Sequence, residues 1–447
     1  MKDITRTLAA FVAQTQWEDI PPKVRHEAKR ALVNYFAVAL AGCSDPGISK
    51  AVSVYGRFSS RQEAGLIGRG EKTDILNAAA LNAMSANVFD FDDTHLPTII
   101  HPTAPVAAPL FALVQKSPLS GKQWLLAFVL GVEIECRLGN AVSPGHYQRG
   151  WHITSTCGVF GATAAISKAL NLDASHIAWA FGNASAQSSG LVETLGSMSK
   201  SISVGNAARN GLLSALLAQE GFAGPERPIE GERGFLRVMS EATDADVDSA
   251  FATLGCEWAL LSNTYKPYPC GVVLNPVIEG CLELSATPGF SFADVERVTL
   301  RGHPLLRART DRPNITLGRE AQVSAQHSVA VALARGRAGL AEFTDVEVSD
   351  PLLRAFAGRL DFVDDPAYSV EAAQVTIVLR SGETMSRRID AARGSLQAPL
   401  ADTDLENKLR ELAEYGGSPC RAGPLIDALW ALESAPDASL PMRLACS

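Results

Sequence analysis

Two stretches of small residues at helical spacing restrict this chain to folds built around closely packed helices. Residues 156–170 read TCGVFGATAAISKAL, and residues 205–219 read GNAARNGLLSALLAQ. Glycine, alanine and serine leave little side-chain bulk between neighbouring helices, so their axes can approach closely. We therefore predict that both stretches are central helices of a packed bundle.

The rest of the first 265 residues shows the same periodicity. A segment that begins at Pro21 and ends at Gly42 carries apolar residues at helical spacing, with proline and glycine as its expected boundaries. No convincing alternation of apolar and polar residues occurs in this region, so we predict that it is all-helical. The other helices predicted here are 75–89, 102–114 and 121–138.

After Pro267 the pattern changes, and residues typical of strands appear. Apolar and polar residues alternate over 375–379, turn at Ser381-Gly382 and alternate again up to residue 389, which predicts a β-hairpin. A further strand is predicted over 295–300. The helices predicted in and after this region are 320–335, 352–360 and 404–432.

These patterns predict a mainly α protein with a large all-helical domain and a smaller inserted α+β domain. A chain of 447 residues is long enough for two such domains. We predict that the helical domain comprises 1–267 plus 400–447. The α+β domain is predicted to comprise 268–399.

Charge and composition exclude several classes of function. The net charge is −8 and no run is rich in lysine or arginine, so no nucleic-acid partner is expected. The first apolar segment is too short for a signal peptide, and no later stretch reaches the ~18 apolar residues of a membrane-spanning helix. We therefore predict a cytoplasmic protein without a membrane partner.

Motifs for several common chemistries are missing from the chain. There is no GxGxxG after a strand, no GxxxxGK[ST], no GxSxG and no HExxH, so nicotinamide, nucleotide triphosphate, serine-hydrolase and zinc-protease chemistry have no support. The eight cysteines are scattered without a CxxC pair, which predicts reduced and mostly buried thiols. Cys157 is a candidate nucleophile, but its apolar helix favours a packing role.

Groups that can exchange protons near neutral pH are concentrated between Asn87 and Lys200. Four of the eight histidines lie between His95 and His152, close to an acidic run and an isolated lysine. Histidine is the side chain whose unperturbed pKa lies near neutrality, so general acid–base chemistry is expected here. We predict that any active pocket is formed by this segment.

The acidic run allows two interpretations. Asp90, Asp92 and Asp93 with His95 offer oxygen and nitrogen ligands for Mg²⁺, Mn²⁺ or Zn²⁺. Against this, adjacent Asp92 and Asp93 point to different sides of a helix, and no second acidic motif is found. The alternative is that these aspartates cap helix ends or pair with a nearby arginine.

The segment 145–152 contains His146, Tyr147 and His152 and leads into a helix. The free backbone N–H groups of a helix N-terminus can bind an anion, so a histidine and a tyrosine here can exchange protons with a bound carboxylic acid. The alternative is that each histidine is satisfied inside the loop.

Lys200 stands in apolar surroundings, just before a helix predicted to begin near Gly205. Burying an ammonium group costs several kcal/mol unless it is paired. We interpret Lys200 as a group that binds a substrate carboxylate. A structural ion pair with Asp93 or Glu193 is the alternative.

Several of these motifs, taken in order, resemble the MmgE/PrpD family. The resemblance covers almost the whole chain. It implies a large all-helical domain with a smaller α+β domain, a homodimer, and no metal or organic cofactor. The family includes 2-methylcitrate dehydratase, cis-aconitate decarboxylase and iminodisuccinate epimerase. The motifs that carry the resemblance are Asp90 to Thr94 with His101-Pro102, GHYQRGWH at 145–152, LGSMSK at 195–200 and KPYPC at 266–270.

The resemblance also implies roles for individual residues. Tyr147 matches a tyrosine proposed for proton transfer in the epimerase branch. Asn275 stands where many relatives have a histidine, and asparagine can hydrogen-bond a carboxylate but cannot shuttle a proton at pH 7. The implied catalytic residues are His101, Tyr147, His152 and Lys200, and the implied substrate-binding residues are Asp90, Asp93, Thr94, Lys266 and Asn275.

We therefore expect a cofactor-independent enzyme that removes a proton next to a carboxylate of a small di- or tricarboxylic acid. A hydro-lyase of the 2-methylcitrate dehydratase type is placed first. An epimerase is placed second because of Tyr147 and Asn275, and a cis-aconitate-type decarboxylase is a further alternative. Two other classes stay open, a metal-dependent helical enzyme that uses the three aspartates and a binding protein without activity.

Overall fold

A computed structural model describes residues 3–446. Helices hold 58% of the residues and strands hold 8%, which confirms the predicted mainly α fold with a small sheet. The chain divides into two compact units. The first comprises the described residues up to Val88, Asp92–Asn263 and the described residues from Asp402 onward, and the second comprises Phe89–Phe91 and Thr264–Ala401. The predicted domain limits stay a prediction.

The first unit is a helix bundle. Its helices before the second unit are α1 (Ile4–Gln14), α2 (Pro22–Gly42), α3 (Pro46–Gly56), α4 (Ile75–Asn87), α5 (Thr103–Val114), α6 (Gly121–Val142), α7 (Gly145–Gln148), α8 (Ile153–Ala169), α9 (Ala174–Ser185), α10 (Ser199–Gln219), α11 (Phe235–Met239) and α12 (Asp244–Phe251). Strands of two residues each are β1 (Ala64–Gly65), β2 (Lys72–Thr73), β3 (Thr94–His95) and β4 (Asn263–Thr264). The prediction of a purely helical region is wrong in this detail, because pairs of residues are too short to show an alternation.

Helix α8 approaches α6 and α10 closely, as the small residues of α8 and α10 predict. A Cβ atom added to Gly131 of α6 would lie 2.8 Å from the carbonyl oxygen of Gly161 in α8. A Cβ atom on Gly211 of α10 would lie 2.3 Å from the Cβ atom of Ala162. Larger side chains at these crossings would push the helices apart, because protein interiors have no spare volume.

Helix α10 begins at Ser199 and not near Gly205, so the predicted start of this helix is wrong. Serine hydroxyls in the first turn donate to carbonyl oxygens of the same turn. Ser201 Oγ donates to Met198 O at 3.1 Å, and Ser203 Oγ donates to Lys200 O at 2.9 Å. Such local bonds are compatible with a helix, although serine-rich runs more often indicate loops. Lys200 therefore lies inside the first turn of α10.

The second unit combines a four-stranded sheet with short helices. The strand order is β6-β5-β7-β8, in which β5 and β6 are parallel and the other pairs are antiparallel. The predicted hairpin is formed by β7 and β8. The elements are α13 (Asn275–Ser285), β5 (Val295–Gly302), α14 (Pro304–Thr310), α15 (Gly318–Ala321), α16 (Ala325–Arg335), α17 (Asp345–Ser349), α18 (Pro351–Phe356), β6 (Leu360–Asp364), β7 (Ala373–Leu379) and β8 (Thr384–Ile389).

Two helices predicted for this unit are shorter than expected. The predicted helix 320–335 is divided into α15 and α16, because Ser324 caps the second helix by accepting from the N–H group of His327. The predicted helix 352–360 ends at Phe356 in the structure. Leu360, the last residue of the predicted range, is the first residue of the edge strand β6. Both sequences are apolar at helical spacing, so the periodicity does not show these breaks.

The last helices return to the first unit. They are α19 (Asp402–Tyr415), α20 (Ala422–Trp430) and α21 (Leu440–Ala445). Helix α19 packs on α2, where Asp402 forms an ion pair with Arg30 and Lys408 Nζ donates to Asn34 Oδ1 at 2.8 Å. These polar contacts fix the C-terminal part of the chain against its N-terminal part.

All eight cysteines are free thiols. Burial raises the pKa of the Cys157 thiol, so this residue packs in the core and is not an activated nucleophile. Across residues 3–446, no helix combines the length and the apolar character needed to cross a membrane. Five cysteines are buried (Cys43, Cys136, Cys157, Cys270 and Cys281), Cys420 and Cys446 are half-buried, and Cys256 is exposed.

Candidate active site

His152 is held at the start of helix α8. It is the N-cap residue of that helix, and its backbone N–H group donates to Gly190 O at 3.0 Å. The side chain is buried, and its Nδ1 atom lies 2.9 Å from Ser203 Oγ. Because Ser203 Oγ also donates to Lys200 O, one hydroxyl group connects His152 to the first turn of α10.

Lys200 is brought to this region by the segment that precedes α10. Trp151 and Leu191 form an antiparallel bridge, and the Val192 N–H group donates to Gly150 O at 2.8 Å. This pairing places the chain that leads into α10 beside the chain that leads into α8. Lys200 is only 9% exposed, which agrees with the interpretation that it is not a surface residue.

His101 is attached to the same helix start. Its backbone N–H group donates to the side-chain oxygen Oγ1 of Thr154 at 3.1 Å, and Thr154 lies in the first turn of α8. The structure therefore brings His101, His152 and Lys200 to one end of α8, either directly or through Ser203. All three were predicted from the sequence as catalytic residues, and their roles stay a prediction.

The ring of His101 is oriented by the acidic run. Its Nδ1 atom lies 2.9 Å from Asp93 O and 3.2 Å from Asp92 Oδ1. Asp92 is itself held by Asn87, whose Nδ2 atom donates to Asp92 Oδ2 at 2.7 Å. Since both oxygens near Nδ1 only accept hydrogen bonds, the hydrogen of a neutral His101 is on Nδ1.

Asp93 accepts hydrogen bonds from two side chains of the first unit. Its Oδ2 atom accepts from Thr103 Oγ1 at 2.5 Å and from Asn263 Nδ2 at 2.6 Å. Burial raises the pKa of Asp93 to about 6, and the neighbouring charge of Asp92 adds to this, although the two hydrogen bonds oppose it. Its predicted role in substrate binding stays a prediction.

The neighbours of Asp93 in the acidic run are also buried. Thr94 lies in strand β3, and His95 Nδ1 is 2.8 Å from Thr98 Oγ1. Burial lowers the pKa of His95 to about 4, with a further contribution from the charge of Arg137. His95 is therefore neutral at pH 7, and its Nδ1 atom has an internal hydrogen-bond partner in Thr98.

The two aromatic neighbours in α7 differ in their surroundings. His146 is fully enclosed, with Nδ1 at 2.8 Å from Met239 O and Nε2 at 2.7 Å from Thr156 Oγ1. Burial lowers its pKa, and both ring nitrogens are occupied, so His146 has a structural role. Tyr147 is half-buried against the apolar core of the first unit, and its predicted catalytic role stays a prediction.

In the second unit, Lys266 and Asp90 form an ion pair in which the lysine is buried and the aspartate is half-buried. Lys266 Nζ donates to Asp90 O at 2.7 Å and to Asp90 Oδ2 at 3.0 Å. Asp90 has a φ angle of 53°, which residues other than glycine rarely adopt. The two bonds from Lys266 stabilise this backbone, and such strain is often found at functional sites.

Asn275 lies at the start of α13 and is buried. Cys270 Sγ lies 3.5 Å from Asn275 Oδ1 and donates to it. Burial raises the pKa of Cys270, so its thiol stays protonated and can make this bond. The side-chain amide therefore has one internal partner, and its predicted role in substrate binding stays a prediction.

Residues that the sequence did not indicate complete the site. Ser203, Thr154 and Asn87 each hold a predicted residue or its partner through one hydrogen bond. The signal for Ser203 was its spacing of three from Lys200, which places the two residues on one helix face only if the helix already includes Lys200. Because α10 was expected to begin later, this signal was not visible.

This arrangement has the groups that an acid–base reaction on a carboxylic acid requires. Two imidazole rings can donate or accept protons, and one lysine side chain can attract a carboxylate. The backbone N–H groups at the start of α8 add a partial positive charge.

Comparison with known proteins agrees with these features over most of the chain. The model of the MmgE/PrpD N-terminal domain matches residues 6–248, and the model of the MmgE/PrpD C-terminal domain matches residues 268–432. Together the two matches cover well over half of the sequence.

Three curated relatives show how far the similarity extends. The chain is 26% identical over 466 residues to the cis-aconitate decarboxylase-like protein oryM of Aspergillus oryzae, covering 98% of this chain and 96% of that protein. It is 25% identical over 464 residues to cis-aconitate decarboxylase of Mus musculus, covering 99% and 93%. It is 27% identical over 173 residues to 2-methylcitrate dehydratase of Cupriavidus necator, covering 38% and 35%.

Proposed function

Because the chain belongs to the MmgE/PrpD family, we propose that it is a lyase that acts on a small di- or tricarboxylic acid without a metal or organic cofactor. The observation that carries this proposal is the hydrogen-bonded connection of His152 to the Lys200 turn through Ser203. The bond from Ser203 ends on the backbone carbonyl of Lys200, so the His152 ring is held close to the backbone of the turn that carries the ammonium group. His101 is attached to the same helix start.

Lys200 binds a carboxylate of the substrate in this proposal. Its ammonium group is buried, and a buried charge interacts more strongly with an anion than an exposed one does. When a proton or CO₂ leaves the carbon next to this carboxylate, negative charge develops there. Stabilising such charge with a fixed cation is usually the largest contribution to catalysis.

His152, His101 and Tyr147 supply the proton transfers. In dehydration, a base removes the proton from carbon, and an acid gives a proton to the departing hydroxide, which leaves as water. In decarboxylation, the carbon–carboxylate bond breaks to give CO₂, and an acid protonates the carbon that receives the electron pair. Both reactions need an acid and a bound carboxylate, so one site can support either reaction.

We place decarboxylation of a cis-aconitate-like tricarboxylate first. The relatives from Aspergillus oryzae and Mus musculus match over nearly their full length and carry this activity in their names. Dehydration of a 2-methylcitrate-like acid, which the family resemblance placed first, comes second because the Cupriavidus necator match covers only 38% of this chain. Epimerisation rests on Tyr147 and on Asn275 in place of a histidine, and it comes third.

The test is a substrate panel that contains cis-aconitate, 2-methylcitrate, citrate and iminodisuccinate. Products are identified by proton NMR in deuterated water, and CO₂ release is measured separately. Turnover that persists in excess chelator supports the cofactor-independent mechanism, and turnover lost in chelator and restored by a metal supports the metal-dependent alternative. Binding in a thermal-shift assay without any turnover supports the binding-protein alternative.

The Lys200→Ala variant tests the central group of the site. We expect kcat/KM to fall by ~10²–10³-fold with the fold intact, which is the typical effect of removing one group that stabilises developing charge. Lys116→Ala is the matched control, because Lys116 forms an exposed ion pair with Glu63 at 2.9 Å. A Lys200→Ala enzyme as active as Lys116→Ala would refute the proposed mechanism.

A further inference from the structure

We propose that the second unit holds a binding site for a small monocarboxylate that carries a hydroxyl group. The site is a cavity of about 410 Å³, a size typical of pockets that enclose small organic ligands. The residues that line it belong to the second unit, and none of the residues predicted for the active site is among them. This site is therefore an addition to the proposed function.

The cavity is built where a loop meets the start of helix α16. It is lined by the loop 313–316, by the first turn of α16 and by residues of α17 and α18. Ser324 caps α16, and its Oγ atom donates to Arg312 O at 2.8 Å. Gln326 Oε1 accepts from the Arg312 N–H group at 3.1 Å, and Gln326 Nε2 donates to Asp311 Oδ1 at 2.7 Å. These bonds fix the beginning of the loop against the helix, so the walls of the cavity are held in place without a ligand.

His327 offers a hydrogen-bond acceptor to a ligand. It lines the cavity, is only 6% exposed, and its Nε2 atom lies 2.7 Å from Glu342 O. A carbonyl oxygen only accepts, so Nε2 of the neutral ring carries the hydrogen and Nδ1 has a lone pair. Burial lowers the pKa of His327, which keeps the ring neutral at pH 7. Among residues 3–446, Nδ1 has no hydrogen-bond partner, and the hydroxyl group of a ligand would provide one.

Arg354 gives the cavity its charge. It is the one charged side chain among the described residues of the lining, and within 3–446 its guanidinium group has neither an ion pair nor a hydrogen bond. The nearby acids Glu347 and Asp350 are both paired with Arg335, at 3.1 Å and 2.5 Å. A guanidinium group binds a carboxylate through two parallel hydrogen bonds. One such group indicates a ligand with one negative charge.

Apolar side chains complete the lining. Val348 and Leu353 are buried, and half-buried Ile315 packs against the core of the second unit. Ligand pockets commonly combine such apolar walls with a few polar groups that fix the orientation of the ligand. The ligand therefore has a carboxylate, a hydroxyl group and a short hydrocarbon chain. Inorganic anions have no apolar part, and di- and tricarboxylates have more charge than this lining balances.

The experiment uses α-hydroxyisocaproate as the probe, because it has these three groups. Its binding to the full-length protein is measured by isothermal titration calorimetry. Isocaproate has no hydroxyl group, and α-hydroxyisocaproamide has no charge. We expect the probe to bind at one site per chain and each analogue to bind ~10-fold more weakly, which is a typical effect of losing one hydrogen bond to a ligand.

Variants assign the two polar contacts. Arg354→Gln is expected to weaken binding of the probe ~10-fold. Arg387→Gln is the matched control, because Arg387 is paired with Glu283 at 2.5 Å and does not line the cavity. His327→Phe keeps an aromatic ring beside Phe343 but has no acceptor, so it is expected to bind the probe and isocaproate equally. If this variant does not fold, the comparison of the two ligands on wild type still tests the hydroxyl contact.

The Lys200→Ala variant separates this site from the proposed active site. An unchanged Kd for the probe in Lys200→Ala supports a site in the second unit. Loss of binding in Lys200→Ala, equal effects of Arg354→Gln and Arg387→Gln, or no saturable binding to wild type up to ~10 mM overturns the proposal. None of these measurements requires turnover, so failure of the proposed function in the substrate panel would leave this site to be decided by binding alone.

Discussion

Asp93 is a buried acid in surroundings that disfavour its charge. Two hydrogen bonds to Oδ2 stabilise the carboxylate, but burial outweighs them and raises the pKa to about 6. An unfolded chain releases this proton near pH 3.9. Between these values the folded protein binds more protons than the unfolded chain does, so this residue lowers the free energy of unfolding as the pH rises from about 4 to about 6.

We predict that Asp93→Asn removes this pH dependence. An asparagine oxygen can still accept from Thr103 and Asn263, but it does not ionise. Urea titrations measure how far the free energy of unfolding falls between pH 4 and 6.5. We expect this fall to be smaller in Asp93→Asn than in wild type, and the difference to be on the order of 2 kcal/mol. Asp427→Asn, at an exposed position, is the control and is expected to follow wild type. Identical pH profiles for wild type and Asp93→Asn would contradict the prediction.

Glu135 is a second buried acid, in helix α6. Among residues 3–446, neither of its carboxyl oxygens has a hydrogen-bond partner. Burial, followed by the charge of Asp93, raises its pKa well above its usual range. The side chain lies against Gly158 and Gly161 of α8, where an added Cβ atom would come within 3.3 Å and 2.7 Å of Glu135 Oε2.

We predict that Glu135→Met stabilises the protein. Replacing an unsatisfied buried polar group by an apolar one of similar size removes a desolvation cost of about 1–3 kcal/mol. Glu135→Gln keeps a polar group in place and is expected to gain less. Chemical denaturation at pH 7 measures both variants. A methionine variant less stable than wild type would show that the carboxyl group makes a favourable interaction.

At this scale the sequence indicated the reactive residues but not their partners. His101, His152 and Lys200 were recognised from their chemistry and from the family resemblance. Asp92 was considered as a metal ligand, a helix cap or the partner of an arginine, and its position beside His101 depends on a loop in which Asp90 and Ile99 both have positive φ angles. Residue type does not indicate such a backbone, because both are non-glycine residues.

The site is assembled by the segment 188–192, which precedes α10 in the sequence. In the structure this segment lies beside the residues that lead into α8. Ser155 Oγ donates to Ser189 O at 2.6 Å, and the His152 N–H group donates to Gly190 O at 3.0 Å. Gly190 has a φ angle of 133°, and an added Cβ atom would lie 2.0 Å from Ser155 Oγ. The position therefore requires glycine for two independent reasons.

We predict that Gly190→Ala loses activity and stability together. The methyl group must displace Ser155, which breaks its bond to Ser189, and the backbone strain costs on the order of 1–3 kcal/mol. Gly196→Ala is the matched control, because its φ angle of 80° imposes strain but an added Cβ atom meets nothing within 4 Å. Thermal unfolding and kcat are measured for both. Equal effects of the two variants would show that contact with Ser155 is unimportant.

Periodicity predicted which elements exist better than where they begin. The small-residue helices and the hairpin were recognised because their patterns extend over many residues. The start of α10 was missed because it depends on hydroxyl bonds within one turn, which leave no periodic signal. The parallel pairing of β5 with β6 was not predicted either, because the partner strand lies about 60 residues later in the chain and parallel pairs have no turn signature.

For the whole molecule, the homodimer implied by the family resemblance stays a prediction. One surface of the first unit suits such an interface. Leu191, Leu195, Met198 and Ile202 are large apolar residues within twelve positions, and each is more than a third exposed. Contiguous exposed apolar residues often mark protein–protein contacts. This surface also includes the turn that carries Lys200.

We predict that the double variant Met198→Glu, Ile202→Glu is monomeric while wild type is dimeric. Two buried carboxylates at an apolar contact are not compensated, so the interface does not form. Light scattering coupled to size-exclusion chromatography measures the mass. Val346→Glu is the control, because Val346 is 80% exposed but lies in the second unit. A dimeric double variant, or a monomeric wild type, would exclude this surface as the dimer contact.

The distribution of cysteines makes the protein suited to fluorescence measurements without any substitution. Cys256 is exposed, five thiols are buried, and burial raises the pKa of half-buried Cys420 to about 11 and of Cys446 to about 12. Maleimide reagents react with thiolates, so a dye added at neutral pH attaches first to Cys256. The residue after Cys256 is Glu257, and its carbonyl oxygen accepts a hydrogen bond from Arg137 Nη2 at 2.5 Å. A dye at Cys256 thus reports from a well-anchored position on the helical unit.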